Sequence, residues 1–263
     1  MRSAGTGGAA RARRSRQTQP PTSNFQHRSH CARRVRCSTP ANGHVRAAYL
    51  TRYTPPMTCA TVPESNLCAR THGALHTIMH CIIPSMFKAQ QPWALVGSTA
   101  SVLQGLPDYN PPDIDLATTM EGAYIMEGCI ASYGAITRPV SYSVRLPYAS
   151  YFGIFEVDGV KVEVMGALII RCIDGVIDLA DHWARWSDNV RVREVDGMHI
   201  PLVPLEWQLV ANVMLGRESR AGDIARYMLA AGYDQRFLST LLTDQRIGAR
   251  TIDGVREALR LDD

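Results

Sequence analysis

The hydrophobic pattern breaks the chain at about residue 64. Residues 1–63 are rich in Arg, Ser, Thr, Pro and Gly and show no apolar period, so they are expected to be disordered. Beyond that point apolar residues recur at regular spacing. Residues 70–82 have helical spacing and are expected to stop near Pro84. Residues 93–96 read as a short buried strand, 99–106 as a short helix, 107–112 as a proline-bearing loop and 113–118 as the next strand. Helical spacing returns over 121–133, with Gly134 as its C-cap. Two β-rich runs, 150–157 and 160–165, meet at Asp158-Gly159, a strong hairpin signal. A second pair, 190–195 and 198–203, meets at Asp196-Gly197. After Pro204 the pattern is helical over 205–216, 222–231, 234–243 and 252–261, with Asp223 and Asp234 in first turns where negative charge suits the helix dipole. This order predicts an α+β fold: a mixed β-sheet core flanked by helices over 64–203, a helical C-terminal unit over 204–263, and a basic leader over 1–63.

Charge sharpens that division. The formal net charge is +4, but the leader holds 11 Arg and no Lys, Asp or Glu, so the remaining 200 residues carry 4 − 11 = −7. The leader has three readings: an organelle transit peptide, a basic arm touching nucleic acid, or an upstream extension without function, the working protein starting at Met57, Met79 or Met86. Aromatic residues are not interleaved with its arginines, so no base-stacking platform supports the nucleic-acid reading. No apolar run reaches 18 residues, so no membrane-spanning helix is expected. The seven cysteines form no C-x-x-C pair. They read as free thiols in a reducing compartment, the cytoplasm, or the mitochondrion if the leader is a transit peptide. His72, His76 and His80 share one helical face. With no acidic partner nearby, a half-exposed polar face is the expectation rather than a metal stripe.

Three features carry chemistry. Gly97-Ser98 ends an apolar run at a strand-to-helix turn, where glycine permits close backbone approach and free N–H groups suit phosphate. Asp113 and Asp115 lie two apart on one strand and so share a face. Glu163 is a carboxylate inside the apolar run 160–164 and needs a cation or a strong partner. Each has a plainer reading: a common turn, a solvated strand end, and a Glu163–Lys161 pair on one strand face. Taken together, three converging carboxylates could hold two Mg²⁺ about 4 Å apart, as in-line nucleotidyl transfer requires.

In this combination the chain resembles the nucleotidyltransferase superfamily of the DNA polymerase β-like fold. It is most similar to the small prokaryote-type branch of aminoglycoside nucleotidyltransferases and abortive-infection toxin-like nucleotidyltransferases. The resemblance covers roughly residues 70–230. It implies that Asp113, Asp115 and Glu163 are catalytic and bind two Mg²⁺, with Glu163 where Asp is commoner. Gly97 and Ser98 would then bind the phosphates of a nucleoside triphosphate such as ATP. The reaction implied moves NMP to a hydroxyl acceptor and releases pyrophosphate. The acceptor is left open among a small molecule, RNA and a protein hydroxyl, and the acidic body disfavours a polyanion. The segment 200–206 resembles the opening of the family's helical half, in which a Lys commonly follows six residues after the Glu. Here the Glu is Glu206 and the later position is Asn212. Arg217 and Arg220 are the candidate replacement cations. That departure keeps two alternatives open: a catalytically inactive nucleotide-binding or interaction module of the same fold, and a toxin–antitoxin-type component. Glu206 and Asp223 divide between site and structure, Glu206 as a helix-start charge and Asp223 as the surface partner of Arg220.

Overall fold

The computed structural model describes residues 67–107, 110–179, 189–244 and 246–261. The expectations for the leader fall outside the described residues.

The fold is α+β, as the pattern predicts. Its elements are α1 (Ala69–Ala89), β1 (Trp93–Val96), α2 (Gly97–Leu103), β2 (Asp113–Thr118), α3 (Met120–Ile130), β3 (Ala135–Arg145), β4 (Tyr148–Val157), β5 (Val160–Cys172), β6 (Gly175–Asp178), β7 (Arg191–Val195), β8 (Met198–Leu202), α4 (Leu205–Met214), α5 (Glu218–Ala231), α6 (Gln235–Leu242) and α7 (Ala249–Leu259). The strands form one mixed sheet in the order β3-β4-β5-β2-β1-β8-β7, with β6 paired to β5. β2 runs parallel to β5, and β1 parallel to β8.

Alternation along the central strands fills two cores. Leu95, Ile114, Leu116, Val162 and Val164 pack against Leu75, Ile78, Met79, Ile82 and Met86 of α1 and Met126 and Ile130 of α3. Their neighbours Ala94, Val96 and Ala117 share the other cluster with Leu209, Met214, Ile224, Met228 and Val255 of the C-terminal helices. Odd-numbered positions of β2 therefore face the C-terminal helices, and these include Asp113 and Asp115.

Several boundaries differ from expectation for identifiable reasons. α1 continues through Pro84 to Ala89. Ile82 and Met86 flank the proline and are both fully buried; burying two such side chains, at about 1.5–3 kcal/mol each, offsets the roughly 3 kcal/mol that an interior proline costs. α2 begins two residues early, at Gly97 itself. α3 is capped by Thr119, whose hydroxyl accepts the Gly122 N–H at 3.0 Å. Gly134 is not a left-handed cap. A Cβ there would run into the Glu156 carbonyl, so glycine serves close strand approach. α5 starts at Glu218, so Asp223 lies inside the helix and not in its first turn. Asp234 is the N-cap of α6 and accepts the Phe237 N–H at 2.9 Å.

Two strands, β3 and β6, escape the pattern altogether, and β5 escapes it in its second half. β3 is an edge strand carrying Pro139, with register shifts on either side of Arg138, the kind of place where a strand tolerates proline. Its residues are mostly exposed, so no alternation marks it. β5 runs on to Cys172 because a bulge interrupts its alternation: Ala167 has φ 49°, and the register with β4 shifts between Ala149 and Tyr151. Both hairpin turns read from Asp-Gly are present. Asp158 and Gly159 have φ 51° and 72°, Asp196 and Gly197 have φ 50° and 76°, the signs that a two-residue primed turn requires.

No helix among the described residues is long and apolar enough to cross a membrane. His72 pairs with Asp196 at 3.2 Å, and His76 and His80 approach each other at 3.2 Å between Nε2 atoms. The row is half-exposed and is tied to neighbours and to itself.

Candidate active site

The parallel pairing of β2 with β5 sets Asp113 opposite Lys161 and Asp115 opposite Glu163. Because Ile114, Val162 and Val164 are buried on the far side, these four charged side chains share the face toward the C-terminal helices. Lys161 Nζ lies 2.8 Å from Asp113 Oδ2 and 2.9 Å from Glu163 Oε1. Glu163 thus stands beside Asp115 and makes the Lys161 pair that is the plainer of its two sequence readings.

Burial pushes the Asp115 carboxyl up to about 8, and the charges of Asp113 and Glu163 add to the rise against the opposing pull of Lys161 and Arg217. Burial alone would lower Lys161, but its bonds to Asp113 and Glu163 hold its ammonium well above the usual range. As the side chains stand, no group of three His, Cys, Asp or Glu among the described residues is arranged to hold a metal ion. The donor set still suits a hard divalent cation: carboxylate oxygens alone, with one acid that ionises only at a high cost without added positive charge. Closing Asp113 and Glu163 on one ion requires Lys161 to swing away, and its side chain is 47% exposed.

Gly97 explains why the turn beside Asp115 carries no side chain. It has φ 68°, and a Cβ built on it would strike Asp115 Oδ2. β1 and β2 are antiparallel neighbours with Val96 opposite Asp115, which presses the turn onto the carboxylate. Thr99 Oγ1 donates to the Asp113 carbonyl at 2.7 Å and ties α2 to the start of β2.

These groups open into a cavity of about 310 Å³ whose lining includes Gly97, Asp115, Glu163, Asn212 and Arg217. Asp113 lies off its wall, joined to Glu163 through Lys161. Ser98 and Arg220 do not line it. Asn212 spends its amide on the Gln208 carbonyl at 2.6 Å. Arg217, the residue before α5, donates to the Tyr148 hydroxyl at 2.6 Å, and its guanidinium sits 5.9 Å from the centre of that ring. Arg220 reaches Ser101 Oγ at 3.3 Å, and Ser101 in turn donates to Gln208 Oε1 at 2.9 Å. Arg220 therefore joins a polar seam between α2 and α4. Asp223 pairs with Arg226 at 3.1 Å and not with Arg220. Glu206 accepts the Asp234 N–H at 2.8 Å with Arg191 3.6 Å away, and it lines a separate cavity.

The rest of the wall was missed in the sequence. Tyr148, Ser150 and Phe152 come from alternate positions of β4, and Glu163, Met165, Leu168 and Ile170 from β5. The switch from odd to even numbers in β5 is the work of the bulge at 166–167, which inserts one residue and restores the inward face. Period-two alternation in β4 was a usable signal; the bulge hid the one in β5.

The profile of the aminoglycoside-2''-adenylyltransferase family matches residues 78–227. A candidate nucleotidyltransferase from Thermotoga maritima is 30% identical, aligning over 57% of this chain and 90% of its own, with a TM-score of 0.46. The crystal structure of ANT(2'')-Ia in complex with adenylyl-2''-tobramycin aligns at 14% identity over 70% of this chain and 95% of its own, with a TM-score of 0.36. JHP933 from Helicobacter pylori aligns at 13% identity over 74% of this chain and 94% of its own, with a TM-score of 0.30. No curated protein gives a significant match. With more than half its length matched by that family profile, the chain belongs to the aminoglycoside-2''-adenylyltransferase family of nucleotidyltransferases.

Proposed function

We propose that this protein moves a nucleoside monophosphate from a nucleoside triphosphate, ATP by its family, to a hydroxyl acceptor and releases pyrophosphate. The observation that carries this reading is the register of β2 against β5, which stands Asp115 beside Glu163 with Asp113 on the same face. Asp113, Asp115 and Glu163 would hold Mg²⁺. Bound there, Mg²⁺ supplies positive charge that eases deprotonation of the acceptor hydroxyl and braces the triphosphate.

The chain's own residues do the rest. The Gly97-Ser98 turn offers backbone N–H groups to the phosphates and leaves room for Asp115 to reach the reacting centre. Arg217, held by the Tyr148 hydroxyl, provides the phosphate-facing cation that Asn212 cannot. The acceptor hydroxyl donates to the Asp115–Glu163 pair while Arg217 and the Gly97 backbone hold the phosphates, so that the two groups meet within one cavity.

The test is Mg²⁺-dependent transfer of label from α-labelled ATP to a pool of hydroxyl compounds. Label incorporation that disappears in the Asp113→Asn, Asp115→Asn double variant is expected. Equal labelling by the double variant refutes the reading. Tight ATP binding by calorimetry without any transfer favours the alternative of a nucleotide-binding module.

A further inference from the structure

On the premise that the cavity performs nucleotidyl transfer, Tyr148 does more than hold Arg217. It opens β4, opposite Arg145 on β3 and Ile170 on β5. Its ring packs against the core of the C-terminal helices. Its hydroxyl meets Arg217 Nη2 at 2.6 Å, and both residues line the cavity. A guanidinium donates and cannot accept, so the phenol oxygen is the acceptor in that bond. The phenol keeps its own O–H for a second partner, and a hydroxyl that accepts from a cation becomes a stronger donor. Burial raises the phenol above its usual range against the pull of Arg217, with Cys172 and Asp115 adding to the rise. The proton is therefore present at neutral pH.

The two ends of the reaction need opposite partners. The acceptor hydroxyl must lose its proton, which passes to the Asp115–Glu163 pair, so a further donor has no use there. As the acceptor oxygen bonds to the α-phosphorus, the bond from that phosphorus to its bridging oxygen breaks, and the electron pair stays on the departing pyrophosphate. Negative charge gathers on that group. A donor placed there lowers the barrier, because its hydrogen bond strengthens as the charge grows. In this reading Arg217 faces the phosphates, and an anion held by the rest of its fork lies beside the phenol that it touches. We propose that Tyr148 is a further catalytic residue: its hydroxyl, polarised by Arg217, donates a hydrogen bond to the departing pyrophosphate and keeps its own proton throughout.

The experiment titrates the full chain with pyrophosphate in Mg²⁺ by calorimetry. Tyr148→Phe keeps the ring and removes the hydroxyl, and it is expected to bind pyrophosphate roughly tenfold more weakly than the wild type. Unchanged melting temperatures identify the variants as folded. In an Arg217→Met background the same substitution should still weaken binding by roughly threefold or more. Equal affinity of Tyr148→Phe and wild type, or no further loss in that background, overturns the proposal; the second result reduces Tyr148 to a brace for Arg217. A second arm compares label transfer to the pool of hydroxyl compounds from α-labelled β,γ-methylene-ATP and β,γ-difluoromethylene-ATP, whose leaving groups are more and less basic. Loss of a donor to the leaving group penalises the more basic one, so the difluoromethylene-to-methylene rate ratio should rise by roughly threefold or more in Tyr148→Phe. An unchanged ratio overturns the contact. Failure of the wild type to bind ATP and to transfer label from it counts against nucleotidyl transfer itself, and the role of Tyr148 falls with it.

Discussion

Replacing Gly97 with alanine perturbs the backbone and the site at once, and the two effects can be separated. At φ 68° an L side chain costs about 1–2 kcal/mol. The added Cβ also strikes Asp115 Oδ2. The carboxylate must leave its rotamer, which costs about 0.5–1.5 kcal/mol more. The sum is roughly 1.5–3.5 kcal/mol, a melting temperature lower by roughly 3–14 °C for a domain of this size. Gly159→Ala is the matched control. Gly159 has φ 72°, but a Cβ there would meet nothing within 4 Å, so only the backbone cost applies. Chemical denaturation of both variants, with Asp115→Ala alone and combined with Gly97→Ala, closes the cycle. Asp115→Ala should remove the excess cost of Gly97→Ala over Gly159→Ala. If Gly97→Ala is no more destabilising than Gly159→Ala, and the cycle couples by less than about 0.3 kcal/mol, then Gly97 is not there to seat Asp115.

Three further outcomes are expected. Glu206→Ala removes the acceptor of the partly buried Asp234 N–H and should cost about 1 kcal/mol in denaturation while leaving ATP affinity within twofold; a loss of ATP affinity would move Glu206 into the nucleotide site. Lys161→Met removes the ammonium between Asp113 and Glu163, so added Mg²⁺ should raise its melting temperature more than that of the wild type; equal Mg²⁺ shifts would show that the lysine does not compete for those carboxylates. Asp174 is held below the usual carboxylate range by its hydrogen bonds to Thr251, whose backbone N–H it accepts at 2.6 Å. A lowered folded value stabilises the protein above the unfolded value and is lost as pH falls through the folded one. The stability gap between wild type and Asp174→Asn should therefore be full at neutral pH and close below about pH 4; a gap that is constant across that range contradicts this.

What the sequence disclosed was local and periodic. The strands at 93–96 and 113–118, both Asp-Gly hairpins and the helical run after Pro204 are each written in contiguous residues. Glu163 could be picked out because a lone carboxylate in an apolar strand is expensive. That it stands opposite Asp115 depends on a parallel pairing between strands some 50 residues apart, which no local pattern encodes. Arg220 illustrates the same limit: spacing made it equivalent to Arg217, while packing turned it toward Ser101. Tyr148 gains its importance from Arg217, 69 residues away in the chain. β3, edge-lying and proline-bearing, had no alternation to read.

The extra residue at 166–167 makes β5 a strand written in two reading frames. Upstream, odd positions face the cavity and include Glu163; downstream, even positions face it and bring Leu168 and Ile170. Straightening the bulge with every residue kept would leave Glu163 opposite Asp115 and exchange Leu168 and Ile170 for Ile169 and Arg171. One local change of backbone at Ala167, where φ is 49°, would thus recast that wall from apolar to charged without touching the carboxylates. Within one strand the chemistry and the selectivity are separately editable, which gives a lineage a short route from one acceptor to another.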